Sequence, residues 1–351
     1  MNEILRQDIE KFDRELRRSS KTIIVTHMKP DGDAIGSTTA LYHYIKSRIQ
    51  PDVQIVLNDA PQRCLTFLTN GQISENILIY SENAEKAKEA IAGADLIICL
   101  DFNAFHRTDK LCSSLEASKA FKVLIDHHLH PDKENFNIIF SKTEISSASE
   151  LLYQILMSMP DINEDATKLP SESAAALMTG MTTDTNNFAN SVYPSTLIMA
   201  STLLAAGVNR DMILEKLYNQ HSENRLRLMG HMMKNLLVTT PEGAAYIVLD
   251  KNTQDEYNTQ EGDTEGFVNM PLSISNIRIS ILIKEDTDRL RVSIRSKKGT
   301  SANACARKYF NGGGHENAAG GRLEIPVAQA AGYVEKHVYQ FLKEEDEKNI
   351  N

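Results

Sequence analysis

The chain has 351 residues, 41% of them apolar and 24% charged, with a formal net charge of −9. That length supports two domains with separate cores, and the composition is that of a soluble globular protein. The acidic balance argues against the broad basic surface that grips long nucleic acid. No apolar run approaches the roughly 20 residues that a bilayer crossing takes.

Residues 1–18 (MNEILRQDIEKFDRELRR) predict a charged amphipathic helix. It lacks the apolar core and small-residue cleavage site of a signal peptide, so a cytoplasmic location is expected. Cys64, Cys99, Cys112 and Cys305 show no metal-finger spacing, and Cys99 falls inside an apolar strand. This usage fits a reducing compartment.

TIIVTH (22–27), VQIVLN (53–58), LIICLD (96–101), FKVLID (121–126) and NIIF (137–140) read as strands. Helical patterns fall near 35–49, 83–92 and 147–159. Apolar strands joined by helices predict an α/β domain with a mostly parallel sheet and flanking helices. Sites in such sheets collect at the carboxyl ends of strands. His27, Asp101 and Asp126 each stand last in a predicted strand.

Residues 171–186 predict a helix with Asp184 near its end, closing a first domain over 1–194. A helix-rich connector is expected over 195–242, and PEG at 241–243 breaks the pattern. Its apolar helices suit either a homodimer face or buried core. Strands 244–250, 276–285 and 289–296 follow, the last two a hairpin around Asp286–Asp288. A helix at 301–310, a loop NGGGHENAAGG (311–321), a strand RLEI (322–325) and a helix at 327–345 complete a smaller α+β domain over 243–345.

Six side chains in four segments form a set suited to two divalent cations. They are His27, Asp31 and Asp33 in THMKPDGDAIGS, Asp101 in IICLDFN, His127 in LIDHHLH and Asp184 in GMTTDTNNF. Alone, PDGD is an ordinary turn, Asp101 a helix cap and Asp184 a polar helix end. Together, each at a strand or helix end, they point to metal. Hard cations take oxygen ligands, and imidazoles shift preference toward Mn2+. Two ions about 3.5–4 Å apart, sharing a carboxylate, suit in-line displacement at phosphorus.

HMKPDGDAIGS, the strand-end Asp101, DHH at 126–128 and TTDT at 182–185 resemble the four motifs of the DHH phosphoesterase superfamily. GFVNMPLSI (266–274), VSIRS (292–296) and GGGHENAAGG (312–321) resemble the associated DHHA1 domain. The pattern is most similar to the compact NrnA-type members, oligoribonucleases that also act on 3′-phosphoadenosine 5′-phosphate (pAp). The resemblance implies one Mn2+ on His27, Asp31 and Asp101. It implies a second on Asp33, Asp101, His127 and Asp184, with Asp101 bridging and Mg2+ or Co2+ as alternatives. His128 would contact the scissile phosphate, Asp126 would orient the neighbouring imidazole, and Arg107 would lie near substrate phosphate. Family members often carry glycine where this chain has Asn186; asparagine tolerates left-handed backbone.

In the second domain, Gly312, Gly313 and Gly314 allow close backbone approach and could aim N–H groups at an anion. The loop does not follow a strand and open a helix, so it is not a dinucleotide fingerprint. Arg295 can fork onto a phosphate. With Ser296, Gly313, Gly314 and His315 it predicts a receptor for the nucleotide end remote from the cations. No acidic residue interrupts Arg289 to His315, so Arg289, Arg291, Lys297, Lys298, Arg307 and Lys308 form either a local basic pocket or a solvated strand face.

The expected activity is a two-metal phosphodiesterase releasing mononucleotides from very short oligoribonucleotides, with pAp phosphatase action. If the domains face each other across a cleft, only a short ligand touches both. Alternatives are hydrolysis of cyclic or linear dinucleotides (c-di-AMP, pApA), hydrolysis of pyrophosphate or polyphosphate, and a nucleotide-binding module without catalysis. Expected partners are short oligoribonucleotides and pAp, with neither long nucleic acid nor membrane.

Overall fold

Strands whose residues are apolar without alternation need cover on both faces. The first half of this chain supplies it. The structure is a computed structural model describing residues 6–49, 52–260 and 262–350, except the side chains of His315 and residues 348–350. Two compact units are present, Met1–Gln220 and His221–Asn351.

The first unit holds a six-stranded sheet: β1 (Thr22–Val25), β2 (Val53–Leu57), β3 (Ile77–Ile79), β4 (Leu96–Leu100), β5 (Phe121–Asp126) and β6 (Ile138–Ser141). Its order is β3-β2-β1-β4-β5-β6, with every pair parallel. Ile24, Ile55, Ile98 and Ile125 pack against Phe12, Leu16, Leu41 and Leu152 on one face. Their neighbours Ile23, Val56, Ile97 and Leu124 pack against Ala87, Ile91 and Leu115 on the other. Cys99 is wholly buried there, as its strand position predicts. The short, half-buried β3 at the sheet edge is not evident in the sequence pattern.

This order turns at β1 and β4: the chain builds outward from β1 in one direction and from β4 in the other. Such a turning point leaves a crevice at the strand carboxyl ends. β1 and β4 stop short of their predicted ends, so His27 and Asp101 lie just beyond them, while Asp126 is the last residue of β5.

Two helices close over this crevice. The Gly32–Arg48 helix begins three residues before its predicted start, and Ser171–Asp184 lies against it. Glycines permit the contact. A Cβ on Gly36 would lie 2.8 Å from backbone atoms of Ala176 and Gly180.

The stretch expected as one connector is divided between the units. Helices Pro194–Ala205 and Arg210–Tyr218 bury Met199, Leu203, Ile213 and Leu217 in the first core. The former helix leaves Leu197, Ile198 and Leu204 exposed. Helix Glu223–His231 and the following π-turn bury Leu228 and Met232 against Ile247 and Leu282 of the second unit. Each amphipathic helix docks its apolar stripe on the core it adjoins. Among the described residues no single helix is long and apolar enough to cross a membrane.

The second unit carries β7 (Val238–Thr239), β8 (Ala244–Leu249), β9 (Ile279–Glu285), β10 (Leu290–Ser296), β11 (Gly313–His315) and β12 (Ala318–Leu323), in the order β11-β12-β10-β9-β8-β7. Only β8 and β9 pair in parallel. Ile281, Val292 and Ile294 pack on Cys305, Phe310 and Val334. The final helix runs over Ala330–Ile350. The expected loop 311–321 is instead mostly the β11–β12 hairpin, and the strand expected to start at Arg322 starts at Ala318. Missing side chains are the reason. The Gly312 backbone packs directly on Gly320 and Gly321, where a Cβ has no room.

The helix contact is testable by contrast. Gly36→Ala overpacks the interface and should destabilise by about 1–3 kcal/mol. Gly230 sits in the Glu223–His231 helix with open space around its Cβ position. Gly230→Ala should therefore stabilise, by up to about 1 kcal/mol. Denaturant titration should move the two midpoints in opposite directions.

Candidate active site

His27 leaves β1 with its ring Nδ1 2.8 Å from the Met28 carbonyl oxygen. A carbonyl only accepts, so Nδ1 carries the proton and Nε2 faces the crevice groups. Nε2 lies 3.5 Å from Asp101 Oδ2 and 3.9 Å from Asp31 Oδ2. Asp31 caps the Gly32–Arg48 helix: its Oδ1 accepts from the N–H groups of Asp33 and Ala34, both at 3.1 Å. Its capping role and its approach to His27 thus use different oxygens.

Asp101 follows β4 at φ 63°, a left-handed conformation that a non-glycine residue holds only under constraint. The residue is 2% exposed. Oδ2 faces His27, and Oδ1 lies 3.4 Å from His127 Nε2. His127 Nε2 is also 3.7 Å from Asp184 Oδ2. Asp184 ends its helix, where the dipole disfavours a carboxylate and favours a nearby cation. Asn186, just beyond, adopts φ 46°, the left-handed backbone that asparagine tolerates.

Asp33 is 1% exposed and reaches a second helix. Its Oδ2 accepts from Ala148 N at 2.6 Å and its Oδ1 from Ser149 N at 2.9 Å. These are the first amides of the Ala148–Met157 helix. This support does not follow from the ligand pattern, but it has a local signal. The serines of SSASE (146–150), with glutamate three residues after Ser147, carry a capping-box signature that marks such a helix start.

Asp126 Oδ1 is 2.7 Å from His128 Nδ1, so the imidazole it orients is that of His128. The Arg107 carbonyl accepts from Met28 N at 2.9 Å, which ties its segment to the His27 turn. Its guanidinium makes no hydrogen bond or ion pair with a described residue.

Ligating atoms converge in three groups, each within 4.8 Å: His27, Asp31 and Asp101; Asp33, His127 and Asp184; and Asp101, His127 and His128. All six positions singled out from the sequence therefore meet at one crevice. Charge crowding there is severe. Burial alone would raise Asp101, but hydrogen bonding and charge from His127 and His27 hold it well below the usual carboxylate range. Burial would lower His27, yet Asp101, Asp31 and the Met28 carbonyl push it up to about 9. His127, buried beside Asp101, Asp33 and Asp184, is pushed up to about 10. Burial, with Asp101 and Asp31 nearby, pushes Asp184 up to about 7. Asp33 is raised well above its usual range by burial and by the charges of Asp101 and Asp184.

The donor set fits a divalent cation. Oxygen donors dominate, with imidazole on each side. Asp126 Oδ2 and Thr182 Oγ1 are buried without a hydrogen-bond partner among the described residues. Buried polar atoms without partners call for an explanation, and these two belong to the DHH and TTDT segments that carry His127 and Asp184.

The second unit corrects part of the expected anion receptor. Arg295 donates from Nη1 to the Ile294 carbonyl at 2.9 Å and the Ala319 carbonyl at 3.4 Å, and burial pushes its pKa down. Ser296 Oγ donates to the Thr300 carbonyl at 2.6 Å and accepts from Asn317 Nδ2 at 3.0 Å. Gly314 N donates to Asn303 Oδ1 at 3.0 Å, and Gly312 N to the Ala306 carbonyl at 3.2 Å. The Ser296 hydroxyl and the Gly312 and Gly314 amides are therefore committed and not open to an anion, whereas Arg295 commits only Nη1; Gly313 lies in the β11–β12 hairpin. The side chain of His315 lies outside the described residues. Nor do the basic residues form one pocket. Arg289 pairs with Asp288, Arg291 with Asp286 and Lys308 with Glu344, while Lys297 donates to the carbonyls of Ile274 and Ser275.

Comparison with known proteins agrees with this geometry. Residues 21–181 match the DHH family N-terminal domain, and residues 243–346 match the DHHA1 domain. A bifunctional oligoribonuclease and PAP phosphatase, NrnA, of Bacillus subtilis strain 168 is 30% identical over 306 residues, covering 86% of this chain and 88% of the relative. The crystal structure of an exopolyphosphatase-related protein from Bacteroides fragilis superposes with TM-score 0.91 at 37% identity, covering 99% of each chain. A probable manganese-dependent inorganic pyrophosphatase of Streptococcus mutans is 28% identical over 168 residues, covering 47% of this chain and 48% of the relative. With its carboxylates and imidazoles gathered where the sheet order turns, the chain belongs to the DHH family and is a metal-dependent phosphoesterase carrying a DHHA1 domain.

Proposed function

We propose that the protein releases mononucleotides from very short oligoribonucleotides and removes phosphate from pAp. The observation that carries the two-cation part is the Asp101 carboxylate, whose two oxygens face two separate ligand groups. The nucleotide part is supported by likeness to a relative named oligoribonuclease and PAP phosphatase over most of both chains.

His27, Asp31 and Asp101 would hold one divalent cation; Asp33, Asp101, His127 and Asp184 would hold the other. Mn2+ is the first choice, given the mixed imidazole and carboxylate set. Such a pair, when bound, supplies an activated water and neutralises phosphate charge. The remaining roles belong to the chain. Asp126 accepts from His128 Nδ1–H, which orients the ring, and in the imidazolium form its Nε2–H would donate to a phosphate oxygen. Arg107 is open to fork onto a non-bridging phosphate oxygen. Arg295 and His315 are the second-domain residues we assign to the substrate's far end; Ser296, Gly313 and Gly314 shape the backbone beside them.

The Bacteroides structure and the pyrophosphatase relative favour a second reading, hydrolysis of a phosphoanhydride. A substrate panel with Mn2+ separates the two. Diribonucleotide and pAp should be turned over faster than pyrophosphate, polyphosphate or cyclic di-AMP, and the reverse order defeats the nucleotide reading. Asp101→Asn should lower kcat on every substrate by more than the ~100-fold that loss of an outer contact costs. Circular dichroism should show the fold intact, and normal turnover by this variant would remove the bridging assignment.

Arg295→Ala tests the second domain. It deletes an interaction made equally in ground and transition states, so KM should rise on diribonucleotide with kcat little changed. An unaltered KM takes Arg295 out of the site.

A further inference from the structure

We propose that Glu150 is a positioning residue for Asp33: it holds the helix start whose amides aim that carboxylate at one of the two cations. The proposal rests on the two-cation reading above.

Both oxygens of Asp33 are gripped by backbone N–H groups of Ala148 and Ser149. An amide has no freedom beyond that of its helix, so the aim of Asp33 depends on how this helix begins. Ser147 caps it, accepting from Glu150 N at 2.9 Å. The Glu150 side chain then turns back. Its Oε2 accepts from Ser146 N at 3.2 Å, from Ser146 Oγ at 2.5 Å and from Thr196 Oγ1 at 2.6 Å. Thr196 belongs to the Pro194–Ala205 helix and accepts from Tyr193 N at 3.1 Å. One carboxylate thus ties together two helix starts.

Glu150 is wholly buried, and among the described residues it pairs with no cation. A buried carboxylate held only by hydroxyls and amides is expensive, even with help from a helix N-terminus. An apolar side chain would fill the place at lower cost. What the carboxylate secures is direction. The far side of Asp33 is closed as well: a Cβ on Gly180 would lie 2.9 Å from Asp33 Oδ1, and Ser149 Oγ occupies the remaining space. Asp33 is therefore set by packing on one side and by the Glu150-locked amides on the other.

The test is calorimetric titration of the metal-free, full-length protein with MnCl2, followed by steady-state kinetics. Wild type should bind two ions. Glu150→Ala should weaken one ion by about 10–100-fold, the usual effect of losing a supporting contact. The other ion should keep its affinity, and kcat should fall with KM little changed. Glu150→Gln retains an acceptor oxygen and should restore most of the loss. Thr196→Val removes a single donor, should give a smaller shift of the same ion, and carries the test if Glu150→Ala does not fold. Tyr44→Phe breaks a part-buried hydrogen bond elsewhere in the same unit, to Asp161 at 2.7 Å. It should lower Tm without moving either ion. Folded Glu150→Ala or Thr196→Val protein with both ions at wild-type affinity overturns the proposal, as does equal loss of both ions. Wild type that binds fewer than two ions overturns the two-cation reading, and this proposal with it.

Discussion

One carboxylate, that of Asp101, sets the terms for everything around it. It sits at the end of a central strand, nearly without solvent, and it is held against two imidazoles from different strands. A charge in that position is tolerable only with opposite charge on both sides. The parallel sheet provides this, because β1 and β5 flank β4 and deliver His27 and His127 to the same edge. The left-handed backbone at Asp101 is the strain that accompanies turning a carboxylate into the crevice.

The rest of the first unit brings further negative charge toward that point, against electrostatic cost. Asp33 and Asp184 lie on two helices that meet through Gly36 and Gly180. Larger residues would part the helices and separate the carboxylates. Asp184 also opposes its own helix dipole. Local rules broken together in one place, and obeyed elsewhere, are the mark of a site shaped for a ligand. A ligand that relieves four carboxylates and two imidazoles is divalent metal, which agrees with membership in a metal-dependent phosphoesterase family.

The second unit follows a different logic. Its glycine-rich segment serves backbone packing first, since the hairpin exists because Gly312 and Gly320 approach without side chains. Asn303 and Asn317 then bind the amides and turns that glycine leaves loose. Most of the basic residues nearby are paired, so positive charge in this unit is local.

Much of the architecture was legible in the residues themselves. Unbroken apolar runs such as LIICL and VLI announce strands buried on both faces, because no other place tolerates them. His27, Asp101 and His127 were visible because carboxylates and imidazoles at the ends of such runs are too costly to be incidental, and Asp31, Asp33 and Asp184 because they recur at other element ends in the same pattern. Exact strand ends were not visible, since leaving the sheet at Val25 and Leu100 depends on what the next residue meets in space. Nor was the division of 195–242, because an amphipathic helix shows that it has an apolar stripe and not which core receives it. The glycine hairpin was hidden for a related reason: glycine permits many conformations, and only a neighbouring strand selects one. The support of Asp33 by Ala148, Ser149 and Glu150 spans more than a hundred residues of chain. Composition and local pattern determined the kinds of element and the chemistry at their ends; contacts between distant segments decided which of those ends share a site.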